Sequence, residues 1–156
     1  MQYFYYYTIK DYTFTIIAAE NAVLELKFGK TEPHNALFQK SDIIKKAMLE
    51  LDEYFSGERK TFDVNLNPQG TEFQRKVWEK LREIPYGKTV SYKKLAEMTG
   101  NIKASRAVGM ANNKNPVPIL IPCHRVIGSN GNLVGYAGGL ELKRELINME
   151  KKYAND

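Results

Sequence analysis

The chain opens with short runs of β-branched and aromatic residues separated by polar pairs. Residues 3–9 and 13–18 carry such runs, and residues 22–28 alternate apolar with polar positions. Three strands are predicted, with Lys10-Asp11 and Glu20-Asn21 as tight turns. The rhythm then turns helical. Leu37, Ile44, Met48, Leu51 and Phe55 fall at helical spacing, predicting a helix over residues 36–55 that stops at Gly57. Asn67-Pro68-Gln69-Gly70 reads as the end of a linker. A capping box, Thr71-Glu72-Phe73-Gln74, starts the second half, and Phe73, Val77, Trp78, Leu81 and Ile84 mark one apolar face. Pro85-Tyr86-Gly87 ends that helix. Ser91 is placed to cap a helix over residues 92–98, Gly100 stops it, and Asn101 is placed to cap a helix over residues 103–112. Two short helices about a glycine turn resemble a helix-turn-helix. Asn130-Gly131, between Val126-Ile127 and Leu133-Val134, predicts a hairpin. A glycine-rich stretch over residues 135–139 precedes a last helix over residues 140–152, where Leu142, Leu146, Met149 and Glu150 share a face.

These elements describe an α+β protein of two parts. Residues 1–70 form an N-terminal antiparallel sheet with a helix. Residues 71–156 form a mostly helical, winged-helix-like domain. Charge separates the same halves: residues 1–70 net −2 and residues 71–156 net +7. A basic half points to an anionic partner, with nucleic acid first among candidates. No apolar run is long enough to span a membrane, and the first residues do not read as a signal peptide. One cysteine in 156 residues fits a reducing, cytoplasmic compartment. With two histidines and one cysteine, a Cys/His zinc cluster cannot be assembled, and no metal is expected.

The lone cysteine, Cys123, lies in Asn115-Pro116-Val117-Pro118-Ile119-Leu120-Ile121-Pro122-Cys123-His124-Arg125-Val126. Three prolines stiffen its approach. His124 and Arg125 beside it favour the thiolate, the reactive form of the sulfur. A buried cysteine serving as a small hydrophobe is the plain alternative. Adjacent residues of an extended segment point to opposite faces, so a direct Cys–His dyad is disfavoured and a bridging water fits better. That argues against a cysteine hydrolase. The helix over residues 103–112 is built from small residues, Ala104, Ser105, Ala107, Gly109 and Ala111, with Arg106 among them. Such a helix suits either tight packing or a close approach to DNA.

Together, the Asn115–Val126 run, Gly135-Tyr136-Ala137-Gly138-Gly139, Val90-Ser91-Tyr92 and Ser105-Arg106-Ala107-Val108-Gly109 resemble the O6-alkylguanine-DNA alkyltransferase family. The resemblance covers residues 71–152, and the N-terminal third matches only in size and element order. It implies a DNA repair enzyme of single turnover that moves an alkyl group from guanine O6, with O4-alkylthymine a second candidate, to Cys123. No cofactor is implied. The same resemblance assigns a path from Cys123 through water to His124 and Glu150, gives Asn115 the role of tying the active-site turn together, and makes Tyr92 the proton donor to the departing guanine. Pro118, Val126, Ala137 and Lys143 would frame the base pocket. Many family members carry Ser at the position of Ala137. Arg106 would fill the gap left by a flipped base, while Asn101, Ser129 and Lys93 would meet the DNA backbone. The implied partner is double-stranded DNA containing O6-alkylguanine, bound by a monomer. A related group of damage-binding proteins flips bases without chemistry but lacks the cysteine, so Cys123 argues against that reading.

Overall fold

The computed structural model describes residues 1–155, which divide into two compact units, the first ending at Gln69 and the second beginning at Gly70. The protein is α+β.

In the first unit, β1 (Gln2–Ile9), β2 (Tyr12–Ala18) and β3 (Val23–Phe28) form an antiparallel meander. Strand β2 is central, and Phe14 to Ala18 are all buried. A short strand β4 (Ala36–Phe38) adds to β1 in parallel, giving the order β3-β2-β1-β4. Helix α1 (Asp42–Phe55) covers the sheet through Ile44, Ala47, Leu51 and Tyr54.

The expected helix over residues 36–55 is therefore corrected at its start. Ala36, Leu37 and Phe38 pair with Gln2, Tyr3 and Phe4, and the Phe38 ring stacks on Tyr5 at 4.9 Å. Strand pairing outweighs the helical spacing of Leu37, and the helix begins after Ser41, which sits in the extended conformation of an N-cap. The stretch read as a linker is also tied down. Val23 N–H donates to Asn65 O at 2.9 Å, and Asn67 N–H to Val23 O at 2.8 Å.

The second unit starts at Gly70, where a Cβ would run into the Trp78 ring. Helix α2 (Glu72–Leu81) has the full capping box, with Gln74 N–H on Thr71 Oγ1 at 3.0 Å and Thr71 N–H on Gln74 Oε1 at 2.9 Å. Helices α3 (Tyr92–Met98) and α4 (Ser105–Asn113) form the helix-turn-helix, with Gly100 at φ +98° between them. Trp78 Nε1–H donates to the Ala111 carbonyl at 2.9 Å, fixing α2 against α4. Helix α5 (Leu140–Tyr153) closes the unit, burying Leu142, Lys143, Leu146, Ile147 and Glu150.

Two local expectations change. The Asn101 side chain caps a single 3-10 turn, Ile102–Ala104, by accepting from Lys103 N–H at 3.0 Å, and α4 proper starts at Ser105. Val126-Ile127 (β6) pairs in parallel with Val90-Ser91 (β5), not with Leu133-Val134. The turn itself forms, with Gly128 N–H on Asn132 O at 2.8 Å, but the peptide edges beyond it belong to a different partner.

Candidate active site

Between α4 and Cys123 the backbone runs through a series of tight turns. Ile121 N–H reaches back to Val117 O at 2.9 Å, and Leu120 N–H to Pro118 O at 2.9 Å across Ile119. Ile119 sits at φ +73°, a region that β-branched residues avoid. Cys123 N–H then bonds Ile121 O at 2.8 Å across Pro122, whose φ of −80° and ψ of 62° are those of an inverse γ-turn. One side chain brackets this path. Asn115 Nδ2 donates to Ile121 O at 2.9 Å, and Asn115 Oδ1 accepts from Val117 N–H at 3.0 Å. The strained Ile119 lies between those two anchors.

The turn delivers Cys123, His124 and Arg125 as one buried 3-10 turn. Their side chains diverge. His124 Nε2 meets Glu150 Oε2 at 2.7 Å. Arg125 grips the same carboxylate with Nε on Oε1 at 2.7 Å and Nη2 on Oε2 at 3.1 Å, while Nη1 donates to the Ile84 carbonyl at 2.7 Å. Burial pushes the Glu150 carboxyl up, but the hydrogen bonds and charges of His124 and Arg125 overcome it and hold the group down to about 2. Burial lowers the His124 imidazole, which outweighs Glu150's pull in the other direction. The pair is therefore a carboxylate facing a neutral imidazole, with Nε2–H the donor. His124 Nδ1 is then an acceptor, and it is buried with no hydrogen-bond partner among the described residues.

The sulfur does not behave as its neighbours in the sequence suggest. Burial raises the Cys123 thiol to about 11, against the opposing effects of an Asn115 hydrogen bond and the Lys143 charge. The expectation that Arg125 favours the thiolate is corrected, because its guanidinium is spent on Glu150 and Ile84. The cation that acts on the sulfur is Lys143, from α5. Lys143 is itself fully buried and lowered by that burial, with Nζ donating to Val134 O at 2.7 Å. The Tyr92 hydroxyl reaches the same carbonyl only at 3.5 Å. Burial raises the Tyr92 phenol, and the charge of Cys123 adds to it, which places the two groups within electrostatic reach.

Cys123, His124, Glu150, Asn115, Tyr92 and Lys143 thus come together. Pro118 and Val126 are buried in the same turn region, whereas Ala137 is exposed. Arg106, Asn101, Ser129 and Lys93 stand on the surface of α4, the 3-10 turn, the Gly128–Gly131 turn and α3. Two participants escaped the sequence. Arg125 is the clamp on Glu150, and no local pattern announces a contact across 25 residues. Asn112, one turn beyond Gly109, is buried and opposes the rise of the Tyr92 phenol; a polar residue ending a small-residue helix reads in sequence as a plain terminus.

Comparison with known proteins gives a consistent picture. The family model of the DNA binding domain of 6-O-methylguanine DNA methyltransferase matches residues 72–152, and that of its ribonuclease-like domain matches residues 2–68. The methylated-DNA–protein-cysteine methyltransferase of Methanosarcina mazei is 47% identical over 153 residues, spanning 94% of this chain and 97% of the relative. The protein of the same name from Methanosarcina acetivorans is 52% identical over 121 residues, 78% of each chain. The crystal structure of Mycobacterium tuberculosis O6-methylguanine methyltransferase superimposes with a TM-score of 0.89 at 38% identity, covering 98% of this chain and 94% of that one. A complex of M. tuberculosis OGT with DNA superimposes with a TM-score of 0.86 at 39% identity, covering 96% and 94%.

Proposed function

This chain belongs to the 6-O-methylguanine DNA methyltransferase family and is a methyltransferase of DNA repair; from that premise we propose that it moves the methyl group of O6-methylguanine in double-stranded DNA to Cys123, once and irreversibly. The observation that carries this reading is the single thiol framed by Asn115, Lys143 and Tyr92, with the His124 imidazole held behind it by Glu150.

A methyl carbon is displaced by a soft anionic sulfur, so the thiol must lose its proton first. With a resting value of about 11, Cys123 is held as the thiol until substrate arrives. The proton leaves through a bridging water to His124 Nδ1, and the resulting imidazolium rests on the Glu150 carboxylate. Arg125 keeps that carboxylate ionised and in place. The thiolate formed is stabilised by the Asn115 amide and by Lys143. Its lone pair forms the S–C bond as the C–O6 bond breaks, and the bonding pair stays on guanine. Tyr92 gives the departing guanine a proton and is reprotonated from the imidazolium or solvent, so the thiol proton is balanced by the one that guanine gains. The thioether product is not cleaved by thiol exchange, which needs a disulfide.

The reacting oxygen is stacked within a duplex, so the nucleotide is turned out into the pocket framed by Pro118, Val126, Ala137 and Lys143. The exposed Arg106 on α4 enters the stack in its place, and Asn101, Ser129 and Lys93 bind the backbone. O4-methylthymine is the second substrate. The protein acts as a monomer, without a cofactor, in the cytoplasm. Titration of the protein with a duplex carrying one O6-methylguanine tests the reading: lesion loss stops at one per Cys123. Continued turnover, or tight binding with no lesion loss, overturns it.

A further inference from the structure

Val134 is 43% exposed, yet its carbonyl oxygen turns inward to the fully buried Lys143, whose Nζ donates to it at 2.7 Å. The Tyr92 hydroxyl is directed at the same oxygen, at 3.5 Å. One main-chain acceptor thus faces two of the side chains gathered with Cys123. Gly135, next in the chain, makes this path possible. Its φ of +55° is a left-handed conformation. It also passes close to the end of α4, where an added Cβ would stand 3.1 Å from Asn113 Oδ1 and 3.3 Å from Nδ2. Turns mark both ends of the stretch, with Gly128 N–H on Asn132 O at 2.8 Å and Gly139 N–H on Tyr136 O at 3.0 Å. Residues 132–139 form a strap between the Gly128–Gly131 turn and α5.

A buried ammonium is costly unless an acceptor meets it. Val134 O does so for Lys143, in a charge-assisted hydrogen bond. Moving the strap away would strand that ammonium, unless whatever displaces the strap brings an acceptor of its own. Guanine does, at N7 and O6. With the strap in place, Cys123 is only 6% exposed.

We propose that the strap is a gate on the site: in this closed form the Val134 carbonyl occupies the donors of Lys143 and Tyr92, and an incoming base opens it by supplying acceptors in its place. The inference rests on the proposed transfer to Cys123. A gate suits a thiol that works once. A sulfur alkylated by a stray electrophile is lost to repair, because thiol exchange does not cleave a thioether. Tying the opening to a base that carries acceptors keeps the thiol covered between lesions.

The test compares, in the full chain, iodoacetamide labelling of Cys123 at one fixed pH with benzyl transfer from limiting free O6-benzylguanine. Gly135→Ala crowds Asn113 and puts a Cβ on a left-handed residue, so it should favour the open strap about fivefold, the equivalent of ~1 kcal/mol. Labelling and benzyl transfer should both rise by that factor, because they share the opening step. Gly135→Ala combined with Asn113→Ala, which removes the crowded atoms, should fall back toward wild type. Asn113→Phe crowds the same contact from an exposed position of α4 and replaces Gly135→Ala if that variant does not fold. Labelling at the wild-type rate in a crowded variant that melts as a folded protein overturns the inference. A rise in labelling with a fall in benzyl transfer also overturns it, since the strap would then be a wall of the pocket and not a gate. If neither wild type nor any variant takes the benzyl group, the transfer reading fails, and the labelling comparison alone decides whether the strap covers the thiol.

Discussion

His124 and Glu150, 26 residues apart in the chain, meet at 2.7 Å in a pair that is 0% and 1% exposed. The contact decides the tautomer. With Arg125 holding the carboxylate ionised, Nε2 keeps the imidazole proton and Nδ1 is left to receive one.

Glu150→Gln should cost about 3–5 kcal/mol of stability at neutral pH, because it leaves the buried Arg125 without its counter-charge. The pH dependence has a definite sign. The folded value of about 2 lies below the usual 4.5, so the carboxylate's contribution is complete above pH 4.5 and is lost as pH falls toward 2. Thermal melts across that window should show the wild-type melting temperature falling more steeply than that of Glu150→Gln. Parallel slopes would contradict the assignment.

The thiol should be sluggish at rest. Iodoacetamide labelling of Cys123 should rise through the alkaline range toward about 11. Lys143→Met should push the labelling profile higher still, since the cation acting on the sulfur is gone. Arg125→Met should leave the profile in place while lowering the melting temperature. A labelling midpoint near neutrality would show that the sulfur is ionised before substrate binds.

Asn115→Ala removes both anchors around the strained Ile119 turn. A loss of about 1–3 kcal/mol is expected from the denaturant midpoint. Asn115→Asp should fall between wild type and Asn115→Ala in stability, because it keeps the acceptor for Val117 N–H and loses the donor to Ile121 O. Equal stability of all three proteins would mean that the turn is held by its backbone bonds alone.

Arg106→Ala should separate flipping from chemistry. Unstacking a base costs a few kcal/mol, the scale that one inserted side chain can offset. Transfer from duplex DNA should slow strongly, while transfer from free O6-benzylguanine, which needs no flipping, should hardly change. Equal loss on both substrates would remove Arg106 from that role.

Much of this was legible in the sequence because its causes are local. Thr71 and Gln74 announce the start of α2, and Gly100 separates α3 from α4, since caps and turns are satisfied by residues a few positions away. What escaped is decided at a distance. Ala36–Phe38 has the spacing of a helix and is claimed by β1. Val126-Ile127 has a good turn after it and is claimed by Val90-Ser91. Arg125 sits next to the sulfur in sequence yet faces Glu150. Lys143, assigned to the pocket by resemblance alone, supplies the charge that acts on the sulfur. The sign of the Cys123 shift escapes the sequence for the same reason: adjacency in the chain does not say which charges reach the sulfur, and burial, which wins here, is a property of the whole unit.

The central claim is that Cys123 Sγ takes the methyl group. Intact mass, followed by peptide mapping, after incubation with O6-methylguanine duplex DNA tests it most directly. The expected result is the gain of one methylene, confined to the peptide containing Cys123 and absent in Cys123→Ser, which should still bind the duplex. An unmodified Cys123 in protein that has cleared the lesion, or a methyl group on any other residue, would contradict it.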